Sequence, residues 1–262
     1  CDEFTALSEL VSDSNSMDFL SDLALAAQAG DVELSFPPHK MPTVSEPGSW
    51  NLDGDKRFSM EHPLSWNYLD PESPNYEFKQ LQRRIYVDRF ERWMKQLPTG
   101  SPVLDLGGGI GRFSEEWLER GHRLTLCDAN EKALALALGH LSLRGGRFDI
   151  WHLSAEDLHA FENEQFWAVS ALEVFCYLSN PAVGIGEAAR VLKPGGLLFA
   201  SVESSIGSLE PGVDCTPEMA SEVLKTTQKR IEGDLWVQYF TEESFRNALE
   251  TAGFSVETIF GT

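Results

Sequence analysis

The stretch Val103 to Arg112, VLDLGGGIGR, decides the fold. A short apolar run carries one acidic residue, Asp105, near its end. Four glycines then fall within the five positions 107 to 111, and a helical pattern begins after them. That order reads as a buried strand, a tight turn and a helix start. Glycine is needed there because the backbone takes positive φ and a ligand approaches with no Cβ in the way. In open α/β sheets, ligands bind at such turns, outside the carboxyl ends of the strands.

Spacing separates the two cofactor classes that use turns of this kind. A dinucleotide fingerprint is G-x-G-x-x-G. Counted from Gly107 and Gly109, its third glycine falls on Arg112. The frame that fits is acid-x-G-x-G-x-G, formed by Asp105, Gly107, Gly109 and Gly111. On these residues the sequence resembles the class I S-adenosylmethionine-dependent methyltransferases, over residues 76–203 and 239–260. The resemblance implies an α/β fold with a doubly wound, mostly parallel sheet of the seven-stranded type. It also implies S-adenosylmethionine as cofactor, S-adenosylhomocysteine as product, and direct in-line displacement.

Outward from the turn, strand and helix alternate. Phe113 to Arg120 reads as a helix ended by Gly121. Arg123 to Cys127 is a second strand closed by Asp128, and Asn130 caps the next helix, which stops at Gly145-Gly146. Phe148–Leu153 and Trp167–Leu172 are a third and fourth strand. Pro181 opens a helix, and the turn LKPGG leads to a fifth strand, Leu197–Val202. Such alternation means a parallel sheet covered by helices on both faces. Thr241 caps a last helix, and Phe254–Phe260 is expected as a strand. The family's final antiparallel strand is then either missing or was trimmed, leaving an exposed sheet edge.

Two regions lie outside that rhythm. Residues 1–75 show no clean β pattern and are expected to form an N-terminal cap, with a helix capped by Ser16 running through Met17–Leu25. Beyond it, Trp50, Trp66 and Tyr68 in a Pro- and Gly-rich stretch point to a segment that packs on something, either as a wrap or as a pocket roof. The core is assigned to residues 76–262. It begins with an amphipathic helix over Glu77–Leu97, whose Lys79, Arg83 and Arg84 are read as a solvated face or as partners of local carboxylates. Residues 204–238 interrupt the alternation beside the ligand edge and are expected to be a lid.

By resemblance, Asp105 orients the methionine amino end, while Gly107, Gly109 and Gly111 offer bare backbone. Asp128 stands about 20 residues after Asp105, where a carboxylate accepts both ribose hydroxyls. Ala129 belongs with it. Ser154 and Ala155 match the adenine segment, although the family often has Asp where Ser154 stands. Leu172 ends the fourth strand beside the sulfonium position, and Glu173 and Tyr177 follow as catalytic candidates. Glu173 would serve as a base if poor solvation raised its pKa, and Tyr177 would orient or cover the methyl. Each also has an ordinary structural reading. His152 reads as a satisfied core residue, and His122, His140 and His159 as surface. No histidine set has metal-ligand spacing, so no metal is expected.

Composition bounds the partners. A formal net charge of −20 opposes nucleic acid, whose affinity rests on Lys and Arg at phosphates. It is read first as solubility or a salty habitat, with attraction of a cationic or amine substrate as the alternative. No apolar run is long enough to span a membrane. Cys1, Cys127, Cys176 and Cys215 are dispersed, which fits a reducing cytoplasm, and the first residues lack a basic signal-peptide region. A chain that starts with Cys is read as trimmed. The fourth-strand end, ALEV, lacks the N/D-P-P-Y/W motif of enzymes acting on DNA or glutamine nitrogens. Together these favour methyl transfer to an oxygen or nitrogen of a small molecule. The alternatives are a protein methyltransferase acting on a basic segment and a non-catalytic interaction domain.

Overall fold

A strand whose side chains alternate between two apolar surroundings needs cover on both faces, and β2 (Pro102–Leu106) is such a strand. Val103 joins one buried cluster, and Leu104 and Leu106 join another on the opposite face. The computed structural model describes residues 32–34, 69–73, 76–205, 216–218, 221, 228–231 and 235–261. Within these, β2 lies inside a six-stranded sheet of order β1-β4-β3-β2-β5-β6 in which every pair is parallel. The strands are β1 (Val32–Leu34), β3 (Arg123–Asp128), β4 (Arg147–His152), β5 (Phe166–Leu172) and β6 (Leu192–Ser201).

One face is covered by α1 (Tyr76–Met94), α2 (Ser114–Glu119) and α3 (Glu131–Arg144). Tyr86, Phe90 and Met94 recur every four residues on α1 and bury one stripe of it. Phe90 meets Tyr86, Phe113, Phe199 and Phe260. The other face is covered by α4 (Pro181–Val191) and α5 (Glu242–Thr251), through Ile185, Ala188, Phe245 and Leu249. Local chemistry sets the helix starts. The Asn130 side chain accepts the Ala133 N–H, Pro181 opens α4, and Thr241 and Ser244 form a reciprocal capping box. The doubly wound α/β fold is therefore present.

The sheet runs from β2 to β3 to β4 in one direction, then crosses back to β5 on the other side of β2. The carboxyl ends of β2 and β5 thus flank the point where the chain reverses direction across the sheet, the place where such folds bind ligands.

Three differences from the sequence reading have physical causes. β1 pairs Val32–Leu34 with Phe148–Ile150 of β4, inside a region read as free of β pattern. Three residues are too few for an alternation to show, and the open edge of β4 supplies the partner. β6 starts at Leu192, because Leu192 pairs with Phe166 and the ladder resumes at Leu197 after a register break, with Gly195 at φ 75° in the intervening turn. Phe254–Phe260 is not a strand. Phe254 and Val256 pack on one cluster and Phe260 on the other, with Arg89 above the Phe260 ring, so side-chain packing holds this segment without a ladder. The Met17–Leu25 helix and the aromatic stretch before Tyr76 lie outside the described residues. Of residues 204–238, an antiparallel hairpin of β7 (Gln228–Ile231) and β8 (Leu235–Gln238) is described.

Phe90→Ala should lower stability by about 3–5 kcal/mol, since four aromatic partners lose contact around a buried ring. Phe260→Ala should cost less, because one edge of that cluster is lost. Urea denaturation of both variants measures the difference, and an equal or larger loss for Phe260 would reverse the assigned order.

Candidate functional site

The turn after β2 is shaped by what lies beneath it. Gly107, Gly109 and Gly111 all take positive φ, at 62°, 55° and 83°. A Cβ on Gly107 would sit 2.6 Å from Val174 Cγ2, so the close approach of the segment after β5 also demands glycine there. Gly108 lies outside the motif frame and has a different reason. A Cβ on it would meet Asp105 Oδ2 at 2.7 Å.

Asp105 is 2% exposed, and its carboxylate is met on both sides. Ser114 Oγ donates to Oδ2 and Ser170 Oγ to Oδ1, each at 2.6 Å. Burial pushes its pKa up to about 6 in spite of the two hydroxyls. Asp128 closes the other side of the turn. Its Oδ2 accepts the Gly109 N–H and its Oδ1 the Asn130 N–H, both at 2.8 Å. The same carboxylate therefore ties the glycine turn to the start of α3. His152 Nε2 donates to the Ala129 carbonyl at 3.0 Å, which satisfies this strand histidine.

Past β4, Ser154 and Ala155 are buried. The Ser154 hydroxyl accepts the Glu156 N–H at 3.1 Å, so its side chain serves the local turn. Leu172, half-buried, ends β5. Glu173 follows at φ 60°, a left-handed conformation that costs a non-glycine residue energy and persists only where neighbours enforce it. Its N–H is held by Ser201, through the carbonyl at 3.1 Å and the hydroxyl at 3.0 Å. The Tyr86 hydroxyl donates to the same Ser201 oxygen at 3.1 Å. Tyr177 closes a 3-10 turn (Phe175–Tyr177) and is half-buried against the α4 side of the core.

The carboxylate of Glu173 lacks the raised pKa that the base role was expected to need. Burial acts to raise its pKa, but the charges of Lys79 and Arg112, with hydrogen bonds from Lys79 and Gln82, outweigh burial and hold it below the ordinary range. Lys79 Nζ sits 2.8 Å from Oε2, and Gln82 Nε2 donates to Oε1. Arg112 completes the group by donating to Gln82 Oε1 at 2.9 Å and to the Lys79 carbonyl at 3.2 Å. The first turns of α1 are thus pinned across the carboxyl ends of β2 and β5.

Lys79, Gln82, Arg112, Ser114 and Ser170 escaped the sequence reading as site residues. Only the basic cluster on α1 offered a signal, and its partners are carboxylates: Glu173 for Lys79, and Glu115 and Glu116 for Arg83. His122 and His140, read as surface, are both buried. His122 packs edge-on to Trp117 at 5.7 Å, and burial lowers its pKa. His140 Nε2 lies 2.7 Å from Glu115 Oε1, which Arg144 also approaches. His159 is exposed beside Asp157. Among the described residues no cluster of His, Cys, Asp or Glu is arranged to hold a metal, and no helix is long and apolar enough to cross a membrane.

A family model described as a methyltransferase domain matches residues 78–259, which include every site residue named above. The chain belongs to the class I S-adenosylmethionine-dependent methyltransferase family. Two curated relatives named ubiquinone biosynthesis O-methyltransferase illustrate the match. The one from Dechloromonas aromatica is 37% identical over 132 residues, 49% of this chain and 55% of the relative. The one from Aromatoleum aromaticum is 36% identical over 155 residues, 58% of this chain and 64% of the relative. The chain thus spans somewhat over half the length of these relatives. Among solved structures, the Burkholderia thailandensis 1,6-didemethyltoxoflavin-N1-methyltransferase, bound to its substrate and S-adenosylhomocysteine, aligns with TM-score 0.56 at 18% identity, covering 83% of both chains. The cyclase SpnF aligns with TM-score 0.57 at 20% identity, covering 84% of this chain and 77% of its own. At such identities these two show the fold.

The turn fits the family's cofactor. Gly109 leaves an open backbone face, since a Cβ there would meet nothing nearer than Asp128 Oδ2 at 3.9 Å. Bare backbone and a fixed carboxylate thus stand side by side. Asp128→Ala should weaken S-adenosylhomocysteine binding by about 1–3 kcal/mol, through lost charge-assisted hydrogen bonds and a loosened turn. Calorimetric titration reads this directly, and an unchanged dissociation constant would remove Asp128 from the grip.

Proposed function

We propose that this chain transfers a methyl group from S-adenosylmethionine to a hydroxyl oxygen or an amine nitrogen of a small molecule. The observation that carries the reading is the glycine turn itself: three positive-φ glycines beside Asp128, at the end of β2 where the sheet changes direction. The names of the curated relatives make oxygen the first acceptor atom to test. A formal net charge of −20 favours neutral or cationic acceptors over nucleic acid.

Gly107, Gly109 and Gly111 would hold the cofactor against bare backbone, with Asp105 beneath them. Asp128 and Ala129 would take the ribose, Ser154 and Ala155 the adenine, and Leu172 the floor near the sulfur. When bound, the cofactor supplies a methyl already activated by the adjacent sulfonium. The protein's task is then to hold an acceptor in line and keep water out. Glu173 and Tyr177 stand where β5 delivers them to that end of the sheet. Because Lys79 and Gln82 keep Glu173 ionised, its carboxylate works as a fixed hydrogen-bond acceptor that aims the attacking O–H or N–H. The strained backbone at Glu173 and its anchor on Ser201 fix that aim. Residues 204–238 are proposed as the lid over the acceptor, and residues 1–75 as a cap.

The first test is titration of the purified protein with S-adenosylmethionine and S-adenosylhomocysteine, with NAD as control, followed by a labelled-methyl screen. Binding of the first two and labelling of a hydroxyl-bearing small molecule is the expected result. Labelling of a Lys- or Arg-rich peptide alone would replace the small-molecule reading with a protein methyltransferase. Absence of binding by folded protein would leave a non-catalytic domain. Glu173→Gln should lower kcat about 10- to 100-fold while leaving S-adenosylhomocysteine affinity within about twofold. An unchanged kcat would take Glu173 out of the acceptor site.

A further inference from the structure

A chain of hydrogen bonds with a fixed direction runs under the glycine turn. The Trp117 indole N–H can only donate, and it lies 2.9 Å from Ser170 Oγ. Ser170 therefore has its single hydroxyl proton free to give onward. Asp105 Oδ1 is 2.6 Å away, whereas the other acceptor within reach, the Leu104 carbonyl, is 3.5 Å away. Ser114 Oγ closes the second oxygen at 2.6 Å. Ser114, Trp117 and Ser170 are all fully buried. Ser170 stands directly across from Asp105 in the parallel register of β2 and β5, so the sheet itself sets this contact.

We propose that Ser170 and Ser114 are positioning residues for cofactor capture: their paired hydroxyls hold the sealed Asp105 carboxylate as an anion beneath the glycine turn, so that binding of the cofactor's ammonium end, in either the sulfonium or the thioether form, requires Asp105 to be charged. The inference rests on the reading of this turn as the cofactor grip. The charged and titratable groups that act on Asp105 are Arg112 from the turn, and Asp128 with the Cys127 thiol from β3. On α2, Glu115 and Glu116 are taken up by Arg83, while β5 presents the uncharged Ser170. No other cation among these competes with Arg112 for the role of local counter-charge, and Arg112 is already bonded to α1.

The sign follows from burial. The carboxyl is held up to about 6 in the free protein. A ligand carrying an ammonium above it favours the anion, so binding expels a proton and affinity falls as pH drops through that value. The methionine ammonium and carboxylate of the ligand do not titrate in this range. Each hydroxyl favours the charged form, so removing one should move the carboxyl higher still.

Affinity for S-adenosylhomocysteine should be measured by calorimetry from pH 5 to 8 on the full chain. In the wild type it should fall about tenfold between pH 7 and pH 5. In Ser170→Ala and Ser114→Ala that fall should move up by about one pH unit, with affinity recovered at pH 8. A merely structural serine would lower affinity equally at every pH. Trp117 emission should shift in Ser170→Ala alone and report that the protein is folded. Should both variants fail to fold, proton release decides the matter on the wild type. Titration at pH 6 in two buffers of different ionisation enthalpy should show about half a proton released per ligand. A pH-independent affinity, a fall that stays in place in the folded variants, or the absence of proton release would each overturn the proposal. A wild type that binds neither cofactor form at any pH would instead overturn the proposed function.

Discussion

A carboxylate sealed from water costs several kcal/mol unless donors or cations meet it. Asp105 is in that position, and much of the site's construction answers to it. Two hydroxyls approach to 2.6 Å from opposite flanking elements, Ser114 on α2 and Ser170 on β5. The carboxylate so held leaves no space for a side chain on Gly108, which explains a glycine the motif frame does not count. Trp117 then has to present its N–H to Ser170, which orients the largest buried ring on that face and sets how Phe113 and Phe199 pack around it. One charge placed under the turn thus constrains the turn above, the neighbouring strand and the helix beside it.

A second constraint acts from the other end of the site. Glu173 sits just past β5 in a left-handed conformation, with Lys79, Gln82 and Arg112 around it. Three of these four residues come from α1 or from β5's end, and Arg112 comes from the glycine turn. The cluster therefore welds the start of α1 to the two strands that flank the ligand crevice. Further along α1, Arg83 reaches Glu115 and Glu116 on α2, and Tyr86 reaches Ser201 on β6. The helix is held by polar contacts on its first turns and by the Phe90 cluster on its last. That division suits a helix whose early part borders a ligand site and whose later part belongs to the core.

Local chemistry made the fold legible. The glycine turn, the strand-helix alternation, the Asn130 and Thr241 caps and the position of Asp128 all depend on residues within a few places of one another. What stayed hidden depends on pairs far apart in sequence. Ser170 lies 65 residues from Asp105, and Lys79 lies 94 residues from Glu173. A hydroxyl inside a β-strand carries no sign of which carboxylate it will face. The same limit explains His140. Its helix is apolar on the buried side, and only the Glu115 carboxylate, brought over by α2, makes an inward histidine favourable. Glu173 shows the limit in its chemistry: its burial was foreseeable, but the cation that reverses the effect of burial belongs to α1.

The distribution of these contacts bears on how this scaffold supports different reactions. The solved structures of similar fold include a methyltransferase and a protein named as a cyclase, so the fold alone does not choose the chemistry. In this chain, the residues proposed to grip the cofactor lie on the glycine turn and at the ends of β2, β3, β4 and β5, and they are fixed by the turn itself and by neighbours on α2, β4 and β5. The groups proposed to meet the acceptor sit on β5's end and are fixed from α1. Changing the acceptor would then leave Asp105, Asp128 and the glycines untouched, while Lys79, Gln82 and Glu173 would have to change together. Replacing Lys79 or Glu173 alone leaves the other without its ion-pair partner, and that penalty couples acceptor choice to the docking of α1.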